Sequence, residues 1–230
     1  MPREKTVSGP ERRYVRYDES RWQILESKRE IAGDLMGRIP EFGPLVHGSV
    51  ARGDVHQGSD VDVVITHRVP SYAVEIRLSE LGVLRREIVQ ATPWHLIKGH
   101  LYIEDDVSVV FPLVKPRPLE EQFYSFGGAL ELKSLERGER TPGVDKRLML
   151  IEPREDGHLE TSVAGREGEV AKVLGVDLAM VKERVDVLSR RDSIGRTGVY
   201  LKRTLSPDES YEGVLRRLAD RDANLRRRVD

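Results

Sequence analysis

The sequence predicts an α+β fold: a mixed sheet flanked by helices, followed by a mainly helical C-terminal module. Three observations lead there. Apolar residues recur at helical spacing from 20 to about 39, short apolar runs of strand length follow between 44 and 114, and the last third returns to helical spacing. The 230 residues suffice for one large or two small domains with a sizeable core. Charged residues make up 33% of the chain, yet both signs are interspersed and the net charge is −1, which describes an ion-pair-covered globular protein rather than a disordered one. The absence of cysteine excludes disulfides, thiolate metal sites and cysteine nucleophiles. No apolar run approaches the roughly 20 residues of a membrane span, and the N-terminus lacks a signal-peptide core. The expected location is therefore the cytoplasm, with no membrane partner.

Taken in order, residues 1–18 are polar and aperiodic and read as a loose arm, with Arg3, Lys5, Arg12, Arg13 and Arg16 either solvated or touching a polyanion. From 20 to 39, Ile24, Leu25, Ile31, Ala32, Leu35 and Met36 trace one face of an amphipathic helix. Pro40 and Gly43 separate it from a short buried strand, Pro44 to Val46, that ends at Gly48-Ser49. A glycine-containing linker, 50–58, leads to a second strand through Val61, Val63, Val64 and Ile65. Ala73, Ile76, Leu81 and Leu84 suit a helix over 72–84, and residues 87–91 a third strand. Residues 95–103 and 107–114 form a hairpin around Glu104-Asp105-Asp106. Pro116 and Pro118 mark a boundary, 119–135 reads as two short helices broken at Gly127-Gly128, and a basic loop, 140–147, enters a strand over 148–151. Lys146 and Arg147 in that loop are candidates to reach a polyphosphate.

The chemistry concentrates at the first two strands. Alternate strand residues share a face, so Asp60 and Asp62 project side by side. Paired acids able to share a cation, facing a Gly-Ser turn that offers backbone N–H groups to a phosphate, suit metal-assisted phosphoryl or nucleotidyl transfer. The order Gly48-Ser49, Arg52-Gly53, Gly58-Ser59-Asp60-Val61-Asp62 between two apolar strands resembles the signature of the DNA polymerase beta-type nucleotidyltransferase superfamily. The resemblance covers about residues 40–115 and points to stand-alone archaeal members. It implies a nucleotidyltransferase sheet, an NTP substrate (ATP foremost), Mg²⁺ or Mn²⁺ on Asp60 and Asp62, and phosphates held by Gly48 and Ser49, with Arg52 and Ser59 as further nucleotide contacts. It also implies a third acid from a later strand. In archaeal relatives such as the CCA-adding enzymes that strand reads apolar-Asp-apolar-Val-Pro; here it reads Val107-Ser108-Val109-Val110-Phe111-Pro112, with Ser108 at the acid's position. Asp106 lies two residues earlier, about 6.6 Å along a strand rising near 3.3 Å per residue. Either the register differs and Asp106 completes a catalytic metal site with Asp60 and Asp62, or the protein binds nucleotide with impaired catalysis. His47, His56 and His67 lack zinc-ligand spacing.

The C-terminal third reads as a helix over 167–174, a turn at Gly175 with Asp177 as N-cap, and a helix over 178–188. The pattern Ala-x-x-Leu-Gly-Val-x-x-x-x-Val-x-x-Arg resembles the helix-turn-helix of many regulators, with residues 194–201 in the place of a wing. Arg190, Arg191 and Arg196 head a local basic excess suited to DNA or RNA phosphates; a helix pair docked on the catalytic domain is the other reading. The last helix, from 211, ends in Arg226-Arg227-Arg228, as apt to be solvated as to touch nucleic acid. Three parts are expected: an arm at 1–18, a nucleotidyltransferase domain at 19–160 and a winged-helix-like module at 161–230. The expected function is transfer of an NMP group from an NTP to a hydroxyl acceptor that the motifs do not name. The alternative is a catalytically impaired nucleotide- or nucleic-acid-binding regulator that kept the fold.

Overall fold

The computed structural model describes Thr6, residues 12–194 and residues 198–229. Its centre, among the described residues, is a seven-stranded mixed sheet in the order β11 (Leu201–Thr204), β4 (Arg85–Gln90), β5 (Lys98–Glu104), β6 (Val107–Pro112), β3 (Val61–Val64), β2 (Leu45–His47) and β7 (Ala129–Glu131). The helix expected at the start is α1 (Glu19–Arg38), whose Asp18 side chain caps the Arg21 N–H. It buries Leu25, Ala32, Leu35 and Met36 on one face of the sheet, against Val61, Val63, Val107 and Val109. The strands behind that face are β2 (Leu45–His47), β3 (Val61–Val64), β4 (Arg85–Gln90), β5 (Lys98–Glu104) and β6 (Val107–Pro112). Only β3 and β6 run parallel; the other pairs in this sheet are antiparallel.

Between β2 and β3 the expected linker contains a one-turn helix, α2 (Ser49–Arg52). The helix after β3 is α3 (Ser71–Leu78), and it turns Ser71, Val74 and Leu78 inward. Ile76, expected on its buried face, is exposed, as is Leu84 beyond it. The break at Gly127-Gly128 is present: α4 (Pro118–Gly127) and α5 (Leu132–Glu136) flank a short edge strand, β7 (Ala129–Glu131).

A second sheet, four-stranded among the described residues, has the order β1 (Arg12–Arg16), β10 (Gly157–Ser162), β9 (Met149–Arg154) and β8 (Gly143–Val144). It corrects the N-terminal boundary. Residues 12–16, expected in a loose arm, form β1 (Arg12–Arg16), paired along its length with β10 (Gly157–Ser162). The remaining strands are β8 (Gly143–Val144) and β9 (Met149–Arg154). Phe126 of α4, Leu148, Leu150 and Val163 make a separate core with Val170 and Ala171 of α6 (Glu167–Leu174) and Met180, Val181 and Leu188 of α7 (Leu178–Ile194). The expected helix pair therefore exists and turns at Gly175, which takes a left-handed conformation. It is packed onto this sheet and α4.

The wing is not formed as expected. Residues 195–197 lie outside the described residues, and Leu201 opens β11 (Leu201–Thr204), which pairs with β4 at the edge of the large sheet. The chain then runs through α8 (Tyr211–Arg221) and α9 (Ala223–Val229), which bury Tyr211, Val214, Leu215 and Leu225 in the main core. Residues 161–230 are accordingly divided between both bodies. The physical cause is α8's apolar stripe, which finds its partner on the large sheet rather than on α6 and α7. No helix among the described residues is long and apolar enough to cross a membrane.

Candidate active site

One face of the large sheet is core; the opposite face carries the chemistry. Register places Ala129, His47, Asp62, Ser108, Tyr102 and Arg85 in one row across the strands β7, β2, β3, β6, β5 and β4. Antiparallel pairing brings the end of β2 beside the start of β3, so the Gly48-Ser49 turn stands next to Asp60 and Asp62. Gly48 has φ +79° and ψ −141°, a conformation side-chain-bearing residues rarely adopt, and open space lies above its Cα. Its N–H is engaged by the Gly128 carbonyl at 2.9 Å, so it does not offer that donor to a ligand. The first helical bond of α2 comes from Arg52 N–H to Gly48 O at 3.0 Å, which leaves the amides of residues 49–51 outside the helical ladder.

Asp60 is exposed and Asp62 half-buried, and neither forms a salt bridge among the described residues. Burial, then the neighbouring Asp60 charge, push the Asp62 carboxyl above its usual range; a hydrogen bond from Ser108 and the charges of Lys146 and Lys98 oppose the rise. Ser108 Oγ donates to Asp62 Oδ1 at 2.8 Å. Ser108 thus occupies the strand position beside Asp62 where a third acid was expected.

Asp106 does not join the pair. It sits in the turn before β6, its carbonyl accepting from Val61 N–H at 2.7 Å, while its carboxylate goes to Lys28 Nζ at 3.4 Å on α1. The register has Asp62 opposite Ser108 and leaves Asp106 outside the strand, where the turn frees its side chain to leave the site face. Among the described residues no three His, Asp or Glu side chains group as metal ligands.

Arg52 is also placed differently from expectation. It is buried, gripping both Asp54 oxygens at 2.9 Å and reaching the Gly127 carbonyl at 2.5 Å. These bonds use its guanidinium to brace α2 against α4 rather than to meet a phosphate. Ser59 is buried, its hydroxyl accepting from His56 N–H at 3.0 Å, and so closes the turn that delivers Asp60. In the basic loop, Arg147 is held by Asp145 and Glu160, each at 2.6 Å. Lys146 is exposed and makes no ion pair among the described residues. Arg190 and Arg191 are exposed near the C-terminal end of α7 and engaged in interactions; Arg196 lies outside the described residues. Asp177 and Gln122 of α4 exchange hydrogen bonds at 2.7 and 2.8 Å, and Glu183 meets His95 at 3.3 Å. Helix α7 is thus docked beside the large sheet.

Three residues of the site escaped sequence reasoning. Lys98 lies on β5 with its ammonium 5.0 Å from the ring centres of both Phe123 and Tyr124, and it makes no ion pair among the described residues. Tyr102 and Arg85 extend the row beyond Ser108, the guanidinium 3.8 Å from the Tyr102 ring centre. The alternation Lys98-x-His100-x-Tyr102 was the available signal. His47, beside Asp62, is half-buried against Phe123 and Tyr124, its Nε2 buried and unpartnered; burial, then the Arg52 and Lys98 charges, hold it down at about 3.

Residues 43–122 match the model of a family described as a nucleotidyltransferase domain. That span runs from just before β2 into α4 and contains the Gly-Ser turn, both aspartates and Ser108. No significant match was found among curated proteins or among solved structures.

Proposed function

We propose that the protein is a metal-dependent nucleotidyltransferase that moves an NMP group from an NTP, ATP foremost, to an acceptor oxygen. The observation that carries this reading is the pair Asp60 and Asp62, unpaired with any arginine among the described residues, beside the glycine-opened turn at Ser49. The donor set fits one divalent cation, Mg²⁺ or Mn²⁺, because such ions are commonly held by one or two carboxylates together with substrate phosphates. A cation bound there supplies charge neutralisation for the phosphates and for the departing pyrophosphate. Ser49 and the amides that follow Gly48 hold the terminal phosphates, and Lys146 supplies a cation from the facing loop. Ser108 orients Asp62 by donating to one oxygen, leaving the other for the metal. Arg52 and Ser59 act at one remove, fixing the two turns on which the ligands sit.

The place of Ser108 favours a second reading, a nucleotide-binding regulator with weak or absent transfer. One experiment separates the two. With α-labelled NTPs, Mg²⁺ and a panel of RNA, DNA, protein and small-molecule acceptors, the enzyme reading expects label transfer that is lost in Asp60→Ala/Asp62→Ala. Tight nucleotide binding with no transfer to any acceptor leaves the regulator.

A further inference from the structure

Two cations meet over the Phe123 ring of α4 with no anion between them. The Lys98 ammonium of β5 stands 5.0 Å from the ring centres of Phe123 and Tyr124, and the Arg184 guanidinium of α7 stands 5.1 Å from that of Phe123. Neither side chain donates a hydrogen bond to the protein or meets a carboxylate among the described residues. The Arg184 Nε and the Tyr124 hydroxyl are both buried without a partner. Aromatic faces attract cations, but they leave the N–H donors unmet, and two like charges held over one ring repel each other. The cluster lacks an anion.

Its position identifies the anion. His47 packs its ring 5.6 Å from Phe123 and 5.4 Å from Tyr124, pairs with Asp62 across the strands, and is followed directly by Gly48. The cluster therefore borders both the aspartates and the Gly-Ser turn. The local charges agree. Burial and Arg52, then Lys98, Arg184 and Lys146, depress the His47 ring; burial raises the Asp62 carboxyl, and Lys146 and Lys98 oppose that rise. Helix α7 is fixed here by Asp177 on Gln122, the residue before Phe123, and by Glu183, the residue before Arg184, on His95.

Resting on the nucleotidyltransferase reading, we propose that Lys98 and Arg184 bind the terminal phosphates of the NTP together with Lys146, so that the α6–α7 pair serves the nucleotide site. A triphosphate brings more negative charge than one divalent cation neutralises, and the two aspartates add theirs. Ser108, standing beside Asp62 in place of a carboxylate, adds no further ligand for a cation. Side-chain cations meet the remaining charge, and guanidinium and ammonium donors suit phosphate oxygens.

The test measures binding of ATP, AMP and inorganic tripolyphosphate, each with Mg²⁺, to the full chain and to Lys98→Met and Arg184→Met, which keep an unbranched apolar chain over Phe123. Each substitution is expected to weaken ATP and tripolyphosphate by roughly tenfold or more, the scale of one lost charge-assisted bond, and to leave AMP nearly unchanged. Lys98→Arg and Arg184→Lys, which keep the charge, are expected to recover most of the ATP affinity, a recovery that a packing role would not give. In the wild type, tripolyphosphate is expected to displace ATP; failure to do so overturns the proposal whether or not the methionine variants fold. ATP affinity unchanged in both methionine variants overturns it while leaving the nucleotidyltransferase standing, provided that Asp60→Ala/Asp62→Ala weakens ATP. Equal losses for ATP and AMP overturn it as well, because they place the two cations at the nucleoside end. ATP binding indifferent to Asp60→Ala/Asp62→Ala removes both readings.

Discussion

His47 shows how one side chain at the site links burial to pH. Its ring is enclosed by Phe123, Tyr124 and the Gly127 backbone, where an added Cβ would stand 2.4 Å from Nε2. Burial first, then nearby cations, hold it at about 3, below an unfolded value of about 6.5. The stability that goes with the neutral ring is therefore complete above about pH 6.5 and is lost as pH falls towards 3, at about 1.4 kcal/mol per pH unit. His100, which burial holds at about 4, adds to the same trend. Glu160, brought down to about 2 by His158 and Arg147 against its own burial, contributes stability lost only below the unfolded glutamate range. Urea midpoints measured between pH 6.5 and 5 should thus fall with pH, and His47→Gln should flatten the slope by about one proton's worth. An unchanged slope would mean that the folded ring is protonated or solvated.

Among the elements, β1 is where local pattern misleads. Arg-Arg-Tyr-Val-Arg has no apolar alternation, and four of its five residues are exposed. It is a strand because β10 offers a partner, and Gly157 permits the approach: a Cβ there would stand 1.9 Å from the Val15 carbonyl oxygen. Gly157→Ala should consequently push β1 off β10, costing about 1–3 kcal/mol by analogy with overpacked cores. Faster amide exchange confined to residues 12–17 and 157–162 would report it; unaltered exchange would show that the strand shifts without penalty. The α6–α7 pair teaches the complementary lesson. Its spacing is legible as two helices and a turn, but Asp177, Glu183 and Arg184 spend their polarity on Gln122, His95 and the Phe123 ring.

For the molecule as a whole, β11 joins the large sheet and α8 and α9 pack into its core. Leu205, Tyr211, Val214, Leu215 and Leu225 are buried in the core built by α1 and the central strands, and the Tyr211 hydroxyl donates to the His100 carbonyl at 2.6 Å. Arg228 returns to Glu120 of α4 and so ties the end of the chain to the second body. Each large side chain withdrawn from that core costs roughly 1.5–3 kcal/mol, and together they approach the roughly 5–15 kcal/mol of net stability a domain has. A chain ending at residue 200 is expected to lose cooperative thermal unfolding and to bind no nucleotide. A sharp transition in that truncation would restore the picture of an independent catalytic domain followed by a separable module.

Sequence by itself determined the helix over 19–38, the β2 and β3 strands, the Gly-Ser turn and the two neighbouring aspartates, because each is set by periodicity or by chemistry within some 20 consecutive residues. It also marked Ser108 as the departure from pattern. Tertiary structure alone decided that Arg52 braces a turn, that Asp106 pairs with Lys28, that Lys98 joins the site from another strand, and that β11 and α8 complete the large sheet. Those outcomes depend on which surfaces meet, and strand register and the burial of an apolar face are settled between segments far apart in the chain, where local spacing carries no information.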